Sequence, residues 1–107
     1  MIKKKIKIPY YFHSLTIIQT NNFKKIEKKY NLDSLGDYEG VVFDNKSDIY
    51  VVLRKNTTPS IIAHEVIHIV NLIFNSVGIK LDPNNDEAYA YTVGWIIKKI
   101  HKVVKVK

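Results

Sequence analysis

The 107-residue sequence predicts a single α+β domain spanning residues 1–107, with a small, mostly antiparallel sheet packed on two long helices. Three observations lead there. Residues 40–44 (GVVFD) and 48–54 (DIYVVLR) are β-branched and aromatic runs, and Asn45, Lys46 and Ser47 between them read as a hairpin turn. Residues 61–75 (IIAHEVIHIVNLIFN) lie in a largely apolar helix predicted over about 59–77; Thr58 is a good N-cap, Pro59 suits the first helical position and Gly78 suits the left-handed C-cap. A last helix, to about Val103, carries the stripe Tyr89, Val93, Ile96, Ile97, Ile100 and Val104.

The remaining elements follow in order. Residues 3–8 alternate loosely and predict a short strand or a frayed end, interrupted by Pro9. Residues 10–19 (YYFHSLTIIQ) have strand composition. Asn21 or Asn22 caps a helix through Tyr30, with Phe23, Ile26 and Tyr30 on one face and Lys24, Lys25, Lys28 and Lys29 on the other. Residues 31–37 form a loop punctuated by Gly36, and residues 79–86 (IKLDPNND) form another, where Asp82 or Asp86 caps the last helix. Ala90 and Gly94, small and four apart, allow close helix packing.

Composition narrows the chemistry. There is no cysteine, so any metal ligands must be His, Asp or Glu. The net charge is +7, and Arg54 is the only arginine among 17 basic residues. Nucleic-acid readers use arginine for bidentate contacts, so this lysine-dominated surface is read as solvation and nucleic acid is not the expected partner. Heavy use of Lys, Ile and Asn fits an AT-rich genome, such as a low-GC bacterium or its bacteriophage. No run reaches the ~20 apolar residues of a membrane span and no signal segment is visible. The expectation is a cytoplasmic protein, or one packaged into a virion from the cytoplasm, with no membrane partner.

The chemistry concentrates in His64-Glu65-Val66-Ile67-His68. Helical residues four apart lie one above the other, so both imidazoles can grip one ion while Glu65 reaches a water on it. His64, His68, Asn71 and Asn75 make one polar stripe on an otherwise apolar helix, which predicts a buried helix whose stripe needs a metal to satisfy it. Catalytic zinc takes three protein ligands. Glu87, in the first turn of the last helix, is the leading third candidate, followed by Asp86 and then His101. An extended 79–86 loop can bring Glu87 level with His68; a tight turn would instead present Tyr91, Gly94 or Lys98 to the pair. Tyr89 or Tyr91 could donate a hydrogen bond to an oxyanion.

These residues resemble the zincin metallopeptidases. HEVIH followed by Glu87 is similar to the gluzincin arrangement, and the chain looks nearest to the small ImmA/IrrE-type peptidases of bacteria and phages. The matching residues are the Gly-led hairpin over 40–54, the helix segment Ala63 to His68, and Glu87 with Ala88. The resemblance implies a minimal zincin-like fold, Zn2+ as cofactor, His64, His68 and Glu87 as ligands, and Glu65 as general base in peptide hydrolysis. It also implies a protein or peptide substrate bound along an edge strand beside the active helix, expected here at 48–54 with Tyr50, Val52 and Arg54. The alternative expectation is a non-catalytic zincin-fold binding or structural module, for instance one assembled into a phage particle.

Overall fold

The computed structural model describes residues 1–107 and shows seven elements: β1 (Ile2–Ile8), β2 (His13–Gln19), α1 (Phe23–Tyr30), β3 (Gly40–Asn45), β4 (Asp48–Leu53), α2 (Pro59–Ser76) and α3 (Glu87–Val103). β1 is a full strand, paired antiparallel to β2 from Ile2 opposite Gln19 to Ile8 opposite His13. Its lysines suit an edge position, where charge discourages further pairing. β2 begins later than the aromatic run over 10–19 implied. Pro9 has no N–H for the ladder, and Tyr10 and Phe12 adopt left-handed φ values of 70° and 55° in the turn. Both side chains project into solvent.

The sheet order is β1-β2-β4-β3. β1–β2 and β3–β4 are antiparallel, while the central β2–β4 pair is parallel, with α1 in the connection between them. Alternation along the strands gives the sheet two buried faces. Leu15, Ile17, Ile49, Val51 and Leu53 face the cluster built by α2 and α3. Ile18 and Val52 face the other way, into a smaller cluster with Phe23, Ile26 and Leu35. Phe43 and Tyr50 stack at 4.9 Å in contact with Tyr30 on that second side.

This topology corrects the expected substrate strand. β4 is paired on both edges, and Tyr50 and Val52 point away from α2. The free edge beside α2 belongs to β3. Both sequence runs are strands, but local pattern does not say which of the two pairs with β2.

The ends of α1 and α2 are as anticipated, whereas Asp86 at the start of α3 makes no side-chain capping bond and Asp82 accepts from Asn84 N in the loop before it. Thr58 Oγ1 accepts from Ile61 N, Pro59 opens α2, and Gly78 at φ 75° ends it, with Ile79 N donating to Phe74 O at 2.9 Å. Asn22 caps α1, while Asn21 Oδ1 accepts from Lys55 N instead. Gln19, buried at the end of β2, donates to Lys105 O at 2.7 Å and accepts from Lys105 N at 2.9 Å, tying the chain's end to the sheet. No helix is long and apolar enough to cross a membrane.

The α2–sheet interface is the main apolar core, and Ile69 at its centre is fully buried. Ile69→Ala is expected to lower unfolding free energy by about 2–5 kcal/mol, read from chemical denaturation, because a close-packed interior relaxes little around a lost side chain.

Candidate metal centre

Helix α2 presents two different faces. Ile62, Val66, Ile69, Val70 and Ile73 are fully buried, whereas His64, His68, Asn71 and Asn75 are exposed. The expectation of a helix buried all round is corrected here. The sheet and α3 cover one side of α2, and the stripe lies on the exposed side, where the Tyr89 hydroxyl reaches Asn71. The buried polar residue is Glu65, at 6% exposure.

The imidazoles converge. His64 Nε2 and His68 Nε2 are 3.3 Å apart, with ring planes at 73°. Two nitrogens on one tetrahedral zinc, each at about 2.0–2.1 Å, stand about 3.3 Å from each other. One ligand atom from each of His64, Glu65 and His68 lies within 4.8 Å of the other two. The donor set therefore fits a divalent ion held by both rings with a carboxylate alongside. Burial pushes the Glu65 carboxyl above its usual pKa, and the neighbouring His64 and His68 partly oppose that rise.

An open cleft of about 590 Å3 surrounds this group. Ser60, Ile61, His64, Glu65 and His68 form one wall; Tyr38, Glu39, Gly40, Val41 and Val42 form the other. The second wall is anchored by Arg54. Its Nε donates to Tyr38 O at 2.7 Å, its Nη2 donates to Gly36 O at 3.0 Å, and the guanidinium lies 3.9 Å over the Phe23 ring. Arg54, expected to contact substrate, instead holds the loop that leads into β3.

The residues expected from α3 are placed differently from one another. Tyr89 faces α2: its hydroxyl donates to Asn71 Oδ1 at 2.8 Å, its ring meets Phe74 at 5.4 Å, and it lines a hollow shared with His68. Burial pushes the Tyr89 phenol pKa up, so it stays protonated. Glu87 and Tyr91 sit two residues to either side of Tyr89, about 200° round the helix. Tyr91 is accordingly exposed and lines a separate hollow with Tyr10, Tyr11 and Trp95, which removes it from the site. Glu87 is exposed and outside the His64–Glu65–His68 group. Asp86 and His101 are exposed and outside the group as well.

Glu39 and the edge of β3 belong to the cleft without having been singled out from sequence. The Gly-led hairpin was visible, but the strand order that turns it toward α2 was not. The chain matches no known family, no curated protein and no solved structure.

A carboxyl with a raised native pKa binds its proton more tightly in the folded than in the unfolded chain. Its stabilising contribution is full at acid pH and is lost as pH rises through the native pKa. In chelator, Glu65→Gln should therefore melt above the wild-type protein at pH 7. The gap should close below pH about 4.3, the unfolded-chain value. Thermal melts followed by circular dichroism check this, and equal melting temperatures at pH 7 would refute it.

Proposed function

We propose that the protein is a zinc-dependent hydrolase of peptide bonds, with His64 and His68 as metal ligands and Glu65 as general base. The convergence of two Nε2 atoms at 3.3 Å beside a buried carboxylate carries this reading. Zinc held there would polarise a scissile carbonyl and lower the pKa of water toward ~7. Glu65 takes the proton of the attacking water and returns it to the leaving amine. Partial burial shields its carboxylate from solvent that would otherwise compete for it. The free edge of β3 offers main-chain hydrogen bonds to an extended peptide, so substrate is read as a further strand beside α2. Tyr89 borders the hollow of His68, and its hydroxyl would have to leave Asn71 Oδ1 before it could donate to a developing oxyanion.

Two carboxylates are candidates for a third protein ligand. Glu39 lines the same cleft as both imidazoles, and Glu87 is the residue the sequence pattern implies. Zinc titration separates them: Gln at the ligating position is expected to weaken affinity by more than about 100-fold, beyond the loss of an outer hydrogen-bond partner, and Gln at the other should leave it unchanged.

The main test is metal content with turnover. His64→Ala and His68→Ala are expected to lose zinc by elemental analysis. Glu65→Gln is expected to keep zinc while peptide hydrolysis falls at least about 100-fold. Wild-type turnover in Glu65→Gln would overturn its role as base.

A second reading, a binding module that keeps the fold without turnover, draws on Tyr10 and Phe12. Both are aromatic, in left-handed backbone, and 93% and 94% exposed, as anchors for a protein partner would be. It predicts zinc binding with no hydrolysis in the wild-type chain.

A further inference from the structure

Gly40 opens β3 directly across the cleft from Glu65. A Cβ placed on Gly40 would lie 3.0 Å from Glu65 Cγ and 3.1 Å from both Cδ and Oε2. Such separations are tighter than ordinary side-chain packing, and Glu65 is too buried to swing freely away. Backbone conformation does not explain the glycine. The left-handed glycines are Gly36 and Gly78, while Gly40 has a φ that any residue adopts. Nor does strand propensity, since glycine weakens a strand relative to alanine. What remains is space: the missing methyl is where the carboxylate lies.

We propose that Gly40 is a positioning residue whose bare backbone seats the Glu65 carboxylate, and so sets where the general base meets the attacking water. The seat rests on the reading of Glu65 as base; the contact itself does not. A methyl at position 40 would displace the carboxylate by several tenths of an ångström while leaving both imidazoles on their helix. Misplacement of a reacting group by about 1 Å can lower a rate 100-fold.

The experiment is a double-mutant cycle of Gly40→Ala and Glu65→Ala, with zinc content and kinetics measured on Gly40→Ala. Against Glu65, Gly40→Ala should lower the melting temperature by about 5 °C. Against Glu65→Ala it should leave the melting temperature unchanged or raise it, because alanine suits a strand better than glycine. Gly40→Ala should keep its zinc, with kcat reduced about 10- to 100-fold and KM little changed. The same melting shift in both backgrounds, or an undiminished kcat, overturns the seat. A wild-type chain that binds no zinc and cleaves nothing overturns the hydrolase reading instead. The thermal cycle, run without metal or substrate, still decides whether Gly40 and Glu65 are coupled.

Discussion

Helix α2 touches the rest of the molecule along one side, and the site's chemistry follows from that contact. With 3.6 residues per turn, seating Ile62, Val66, Ile69 and Ile73 against the sheet leaves His64, His68, Asn71 and Asn75 facing out. Glu65 falls at the boundary, where its stem is covered and its carboxylate meets the cleft wall. One packing arrangement thus leaves the imidazoles accessible to an ion from solvent and desolvates the neighbouring acid. A helix buried all round would have closed the site. One turned by a single residue would have lost the desolvation.

The sheet supplies the opposite wall, and its order determines which residues form it. Because β4 pairs in parallel with β2, the hairpin places β3 outermost, across the cleft from His64, Glu65 and His68 of α2. β4 then gives its side chains to two cores at once, and its backbone has no free edge. Arg54, just beyond β4, binds carbonyls of the loop before β3 and so fixes the approach to the cleft from behind. Glycine at the start of β3 lets the strand come close enough for Glu65 to lie against main chain.

Helix α3 follows the same rule as α2. Its inward face is the one that packs Tyr89, Thr92, Ile96 and Ile100, and the phase this imposes carries Glu87 and Tyr91 outward. The first turn of α3 is held by Tyr89 on Asn71 and Phe74 rather than by its acid.

The sequence alone determined what is local. Capping chemistry at Thr58, Pro59 and Gly78 bounded α2 to within a residue or two, turn residues marked the β3–β4 hairpin, and the four-residue spacing of His64 and His68 placed them one above the other. These depend on steric and hydrogen-bonding preferences that reach only a few positions along the chain. Tertiary packing decided the rest: that β3 is the edge, that α2 is covered on one side, that Tyr89 turns inward and Glu87 outward, and that Gly40 meets Glu65. Each joins surfaces from distant parts of the chain, where total apolar burial chooses among arrangements that local pattern leaves equal.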